Sequence, residues 1–561
     1  MNCVAPTLAH SFPTAAAHPQ AASAATSDLD RVLAFFTRGS DADQRRDEII
    51  AALRTSASWH AAQPGIHSCV QQSDLSQMFL ETAMPEGADD FAAYARFVAD
   101  AVVLHSINMM SPRSFGHMTS IPPAFVHGIA DVVCRLNQNL VKSDASRMLT
   151  LIERQTLATL HRLVYQRDRR FYDEHVQHHD SALGIVCSGG TLANITALWC
   201  ARNGSFAPCT GFDGVEEAGL AAALRHVDAE GAVILGSERM HYSMQKAAAV
   251  LGLGAAGAIT VGVDAQQRID LHALEETIAE CHRRRLRIVA LVGVAGSTDC
   301  GSIDPLQELS RIAQRERIHF HVDAAWGASL LFSPRHRRLL NGLEAADSVA
   351  LDGHKQLYVP IGTGVLLLRD PHAARLLEKR APYMLHAGSG DLGRFSLEGS
   401  RAGSALLMHA SMQVIGRRGY AALIERNFDN AARLARIVAE SSDFELLHLP
   451  QTNIVLYRYL PAQLRSFVAN RTLTSAGQCH LNAVNRSLQQ RQYEGGRSFV
   501  SRSTLCSLEG YRGVPVVALR AVMVNPLAGV DDMQAMLADQ RQIAEALTVN
   551  AGEPADGPEG R

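Results

Sequence analysis

Ser348-Val349-Ala350-Leu351-Asp352-Gly353-His354-Lys355-Gln356-Leu357-Tyr358-Val359-Pro360 is the stretch on which the fold turns. An apolar run ends in a polar, glycine-containing break that presents a lysine, and a second apolar run then ends in proline. Upstream, Arg317-Ile318-His319-Phe320-His321-Val322-Asp323-Ala324-Ala325-Trp326-Gly327 ends in an aspartate beside small residues. A lysine and an aspartate at the ends of neighbouring strands suit one chemistry. The lysine can hold an aldehyde cofactor as a Schiff base, and the aspartate can pair with a pyridinium nitrogen and make the ring an electron sink. Either residue alone reads more simply as a surface lysine or a turn carboxylate. The rest of the chain decides.

Its 561 residues are too many for one simple core, so roughly two to four domains are expected. Apolar content of 47% and charged content of 19% describe an ordinary globular protein. A net charge of −3 gives no footprint for nucleic acid or an anionic membrane. The ten cysteines are scattered without a C-x-x-C pair. That pattern predicts reduced thiols in the cytoplasm and neither a disulfide framework nor a structural metal site. No apolar run reaches membrane-spanning length, and the amino terminus lacks the basic and apolar regions of a secretory signal.

Working outward, residues 1–28 are Ala-rich and predicted to be disordered. Residues 29–124 read as an N-terminal helical layer, with an N-cap at Ser27-Asp28 and helical spacing over 47–53 and 91–104. The loop Met110-Ser111-Pro112-Arg113-Ser114-Phe115-Gly116-His117-Met118-Thr119-Ser120 is apolar enough to wall a pocket, although His117 would serve equally as a buried structural histidine. Residues 125–400 form the predicted large domain. A long helix over 125–166 is followed by a strand at 183–187 that opens into Ser188-Gly189-Gly190-Thr191-Leu192-Ala193-Asn194 and a helix. Such a strand, turn and helix aim backbone N–H groups at a phosphate. Strands at 232–235, 286–294 and 365–368 alternate with helices, which predicts an α/β fold with an open, mostly parallel sheet. The polar clusters fall at the carboxyl ends of these strands, where such sheets bind ligands. Residues 401–548 read as a small C-terminal α/β domain with strands at 453–457 and 514–525, and 549–561 as a disordered tail. Arg520, inside an apolar strand, must face an anion: a neighbouring acid or a substrate carboxylate.

Four motifs carry a family likeness. Ser188-Gly189-Gly190-Thr191-Leu192-Ala193-Asn194, His241-Tyr242-Ser243, His321-Val322-Asp323-Ala324-Ala325-Trp326 and Asp352-Gly353-His354-Lys355 resemble, in order and separation, the group II pyridoxal-phosphate-dependent amino-acid decarboxylases. The resemblance spans roughly residues 90 to 545. The 111–120 loop and the 352–360 stretch most resemble the bacterial aspartate 1-decarboxylases, which make β-alanine. The resemblance implies the aspartate aminotransferase-like, type I fold of pyridoxal-phosphate-dependent transferases. It also implies a homodimer with shared active sites, with no nucleic-acid or membrane partner.

Residue by residue, it implies that Lys355 holds the cofactor aldehyde, that His354, Gly190 and Thr191 contact the phosphate, and that Asn194 lies close behind. Asp323 would pair with the ring nitrogen, with Ala325 on one ring face and His241 on the other. Thr298 lies in the family's small-polar turn. Tyr383 matches a mobile-loop tyrosine that returns a proton to the carbon losing CO2, and Arg520 matches the arginine that binds the α-carboxylate. His117 stands where animal glutamate decarboxylases have glutamine, so it is a candidate for reading the distal acid. No metal is implied. Aspartate is thus the expected substrate. Glutamate, cysteine sulfinate and 2,4-diaminobutyrate compete within the same chemistry, and a non-catalytic scaffold of the same fold competes from a different class.

Overall fold

Alternating strand and helix from Gly184 onward build a seven-stranded sheet. Its strands are β1 (Gly184–Cys187), β2 (Gly231–Ser237), β3 (Ala258–Val261), β4 (Leu286–Val294), β5 (His319–Asp323), β6 (Ser348–Asp352) and β7 (Gly364–Leu368), in the order β1-β7-β6-β5-β4-β2-β3. The structure is a computed structural model that describes residues 32, 33, 36, 41–86, 90–119, 121–379, 389–511 and 513–550, with the side chains of 41–43 and 548–550 excepted. The expected disordered segment 1–28, the Ser27-Asp28 cap and residues 551–561 of the expected tail 549–561 lie outside the described residues, and the first two residues of that tail instead end the helix Val530–Asn550.

β2 pairs parallel with β3 and β4, β4 with β5, and β5 with β6. The mostly parallel sheet expected from the sequence is therefore present. β7 alone runs antiparallel, to both β6 and β1. The physical reason is the link from β6 to β7. Residues 353–363 hold no helix, and a parallel return needs a crossover of a dozen or more residues.

Side-chain alternation along each strand divides the core into two layers. Val186, Leu235, Leu291, Val349, Leu351, Val365 and Leu367 pack against the helices Ser143–Tyr165, Leu271–Arg283, Leu306–Glu316 and Ala405–Ala439. Ile185, Ile234, Val292, Ala350, Leu366 and Leu368 pack on the other face against Gly190–Ser205 and Ser243–Val250. Both faces are covered, so the strands read as continuous apolar runs and not as alternating ones.

Some sequence expectations were coarser than the molecule. The helix expected over 125–166 is two helices, Ala124–Leu136 and Ser143–Tyr165, and Asn137 closes the first in the left-handed conformation at φ 44°. Asparagine tolerates that region, as helix ends require. The run expected over 91–104 is α-helical over Phe91–Phe97 and π-helical over Val98–Val103. A second sheet contains β8 (Phe444–His448), β9 (Ile454–Tyr459), β10 (Ser501–Leu505) and β11 (Val516–Val522) in the order β10-β11-β9-β8.

Packing divides the chain into two compact units. One comprises Met1–Phe115, Ala483–Ser501 and Leu527–Arg561, and the other Gly116–Asn482 and Arg502–Pro526. In the first, the Asn108 amide donates to the carbonyls of His60 and Gln63, at 3.1 and 2.8 Å, which ties the end of the Asp41–Ala61 helix to the segment after Val98–Val103. The second holds the seven-stranded sheet and every residue of the candidate site. No described helix is long and apolar enough to cross a membrane.

Candidate active site

Five strands deliver their next residues to one place. β1 leads into Ser188 and Gly189, β2 into Arg239 and His241, β4 into Ser297 and Thr298, β5 ends in Asp323, and β6 leads through Asp352 to His354 and Lys355. These residues, with Gly190, Thr191, Asn194, Ala325 and Trp326, line one cavity of about 370 Å3. It sits at the carboxyl edge of the sheet. Gly190, Thr191, Asn194, His241, Thr298, Asp323, Ala325, His354 and Lys355, spread widely in sequence, all meet here.

The Lys355 amine lies 3.1 Å from Asp352 Oδ2, and His354 Nε2 lies 3.7 Å from the same oxygen. His354 donates through Nδ1 to the Thr363 carbonyl at 3.0 Å, which fixes its ring. Asp323 is 7% exposed. Its Oδ1 accepts from the Ala325 N–H at 3.1 Å and its Oδ2 from the Asn194 amide at 2.9 Å. His241 Nδ1 is 2.9 Å from Ser243 Oγ. Burial holds the His241 pKa below the ordinary histidine value, and the nearby Asp323 charge opposes that shift.

Arg520 and His117 are not part of the cavity lining. Arg520, on β11, lies behind it. Its Nε donates to the Thr298 carbonyl at 2.7 Å and its Nη1 to the Gly116 carbonyl at 3.4 Å. Burial lowers its pKa to about 10, and Asp299 acts in the opposite direction. The sequence reading offered it an acid or a substrate carboxylate; the structure adds backbone carbonyls as partners. His117 is open to solvent as a residue, yet enclosure of its ring and, second, the Arg520 charge lower its pKa. Tyr383 lies outside the described residues.

The site also contains groups that sequence reasoning did not single out. Asp352 was quoted only as part of a motif, although its spacing from Lys355 puts the two side chains together. Arg239 is 8% exposed and lines the cavity, bound to Glu238 at 3.1 Å and Gln267 at 2.9 Å. Its position two residues before His241 was the available signal.

The donor set fits pyridoxal phosphate. The Gly190–Ser205 helix begins at the cavity, so its first N–H groups are available to a phosphate. A Cβ on Gly190 would stand 2.9 Å from Asp352 Oδ2 and 3.3 Å from Ala325 Cβ, so only glycine leaves that cradle open. The lysine amine suits an aldehyde and the buried carboxylate suits a pyridine nitrogen. Gly364, the first residue of β7, closes the cradle from behind. Its Cβ position lies 2.6 Å from both Cα and C of Gly189. Gly364→Ala must therefore displace backbone, at an expected cost of roughly 1–3 kcal/mol. Thermal unfolding of the cofactor-free protein should show the loss, and cofactor titration should show weaker binding.

The comparisons agree with this chemistry. Residues 75–460 match the model of the pyridoxal-dependent decarboxylase conserved domain. The aspartate 1-decarboxylase of Aliivibrio fischeri is 42% identical over 85% of this chain and 88% of its own length. The L-2,4-diaminobutyrate decarboxylase of Rhizobium meliloti is 32% identical over 80% of this chain and 85% of its own. Among solved structures, mouse CSAD superposes with a TM-score of 0.78 at 22% identity, covering 90% of this chain and 99% of that one, and shares the fold. The chain belongs to the pyridoxal-dependent decarboxylase family, and is an amino-acid decarboxylase that works with pyridoxal phosphate.

Proposed function

We propose that the enzyme removes the α-carboxylate of L-aspartate, releasing CO2 and β-alanine. One observation carries the choice of substrate: identity to the Aliivibrio fischeri aspartate 1-decarboxylase is 42%, against 32% to the Rhizobium meliloti 2,4-diaminobutyrate enzyme, over comparable lengths. Charge supports it. The His117 ring beside Arg520 is placed to donate to a distal acid, which an aspartate side chain supplies and a cationic one does not. A second reading, 2,4-diaminobutyrate, is favoured by the Asp299 carboxylate beside Thr298, although that carboxylate lies 3.6 Å from Arg239 Nη1.

When bound, pyridoxal phosphate supplies an electron-withdrawing ring that takes up the electron pair of the breaking Cα–carboxylate bond. The chain's own residues do the rest. Lys355 would hold the cofactor aldehyde through its amine. Gly190 and Thr191, at the helix start, and His354 bind the phosphate. Asp323 holds a proton on the ring nitrogen, with Asn194 bound behind it. Ala325 and His241 would lie on the two faces of the ring, and Thr298 forms the wall in front of Arg520. Arg520 draws the α-carboxylate towards that wall, and His117 beside it meets the distal acid. Tyr383 returns the proton to the carbon that loses CO2.

Asp352 acts through Lys355. Asp352→Asn is expected to lower kcat roughly tenfold, the scale of one charge-assisted hydrogen bond, with KM little changed. Steady-state kinetics on aspartate would check it. We also place the enzyme in the cytoplasm as a homodimer with shared sites. The scattered cysteines support the first. The second is what the family likeness implies. A fully active monomer in sedimentation would overturn the dimer.

The substrate assignment is tested by amine and CO2 release from the loaded enzyme with aspartate, glutamate, cysteine sulfinate and 2,4-diaminobutyrate side by side. The highest kcat/KM is expected on aspartate. A clear preference for another of them would replace it.

A further inference from the structure

A line of hydrogen bonds runs through the sheet behind Asp323. The Asn194 amide donates to Asp323 Oδ2 at 2.9 Å, and its carbonyl oxygen lies 3.0 Å from His321 Nε2. His321 Nδ1 lies 2.9 Å from Ser348 Oγ, and the same hydroxyl lies 2.7 Å from His319 Nε2. Asn194, His321 and Ser348 are buried to within 1%. His321 and Ser348 do not line the cavity. Polar groups this deep are costly unless paired throughout, so packing alone is a poor reason for four in a row.

Donor and acceptor rules set the direction of the line. An ionised Asp323 only accepts, so Asn194 must turn its NH2 towards it. The Asn194 oxygen must then accept, so His321 carries its proton on Nε2. Burial keeps His321 neutral, its pKa lowered to about 4, so Nδ1 accepts from the Ser348 hydroxyl. That hydroxyl in turn accepts from His319 Nε2–H. Every proton in the line points towards the Asp323 carboxylate. The Asn194 amide also donates to Ser243 Oγ at 3.0 Å, and Ser243 holds His241. One amide thus steadies the groups assigned to the ring nitrogen and to one ring face.

The charged groups around the line are few. Asp323 and His319 face His321, while Asp347 and Arg369 face His319. Asp347 and Arg369 are themselves paired. His319 also lines a separate cavity of about 430 Å3 with Arg167, Asp347, Arg369 and Asp370.

We propose that His319, Ser348 and His321 are positioning residues for Asp323: acting through Asn194, they hold its side chain as a carboxylate and so keep the proton on the cofactor's ring nitrogen. The proposal rests on the reading of Asp323 as the partner of that nitrogen. Without the inward-pointing donors the charge on Asp323 is less well stabilised, and the proton shared with the ring nitrogen passes towards the carboxylate oxygen.

The test loads the enzyme with pyridoxal phosphate labelled with 15N in the ring, then reads the 15N chemical shift and the pH dependence of the visible absorbance. His319→Phe and Ser348→Ala should move the 15N resonance towards the unprotonated range at pH values where the wild type holds the proton on nitrogen. His319→Gln keeps an N–H donor and should retain the wild-type signal. Ser348→Ala removes a single oxygen, so it stays informative should His319→Phe fail to fold. Asp323→Asn is the control and should move the resonance furthest. If it moves the resonance while Ser348→Ala and His319→Phe match the wild type, the proposal is overturned. If Asp323→Asn also matches the wild type, the assignment of Asp323 fails, and the proposal with it.

Discussion

Lys355→Ala is expected to abolish amine and CO2 release, with a loss on the order of 10^4-fold or more, because it removes the one group assigned to covalent attachment. The visible absorbance of the bound cofactor should disappear with it. The position makes this a clean experiment. Lys355 follows the end of β6 at the cavity wall, and its side chain is 19% exposed, so truncation leaves no hole in the core. The melting temperature of the cofactor-free protein should stay close to wild type. Lys355→Arg should be as inactive as the alanine variant, because a guanidinium keeps its proton and offers no nucleophilic amine. Asp352→Asn provides the contrast: the amine remains and only its 3.1 Å partner is weakened, so absorbance should persist while turnover falls. Substantial release by Lys355→Ala would mean that another amine holds the cofactor.

Lys355 and Asp323 were legible in the sequence for a local reason. Each follows a short apolar run, and a strand end with a polar residue beside it can be read without knowing what packs around it. The pairing of β5 with β6 that brings them together was legible too, because chain neighbours joined by a long crossover tend to lie side by side. What escaped was set by distant contacts. The Arg520 strand could be read, but not that its guanidinium would meet the carbonyls of Thr298 and Gly116, far away in the chain. Asn194 was placed close behind the phosphate turn from its motif; that its amide also reaches Asp323 depends on helix Gly190–Ser205 packing on β5. The reversed direction of β7 was concealed because its composition is that of any buried strand. β10, with Ser501, Arg502, Ser503 and Thr504 ahead of Leu505, lacks the apolar run that marks a strand.

Asp323→Asn is expected to lower kcat on the order of 10^3-fold, the scale of removing one preorganised electrostatic partner from a water-poor site. The cofactor should nonetheless stay bound through Lys355 and the helix start at Gly190. A full negative charge next to a pyridine nitrogen raises that nitrogen's pKa, and at 7% exposure water screens the charge only weakly. An amide of the same shape has no net charge, so the nitrogen gives up its proton near neutral pH and the ring withdraws electrons less well. The amide also disturbs its surroundings, because its NH2 must face either the Asn194 NH2 or the Ala325 N–H, donor against donor. Asp323→Glu separates these effects. It keeps the charge but moves it by one methylene, so a smaller loss, roughly ten- to a hundredfold, is expected. The two variants differ from Lys355→Ala in what survives. Absorbance should remain in both, with its pH dependence altered most in Asp323→Asn. If Asp323→Asn and Asp323→Glu lost equal activity, shape at this position would matter more than charge, and the carboxylate would be holding Asn194 and the Ala325 N–H in place instead of a proton on the ring.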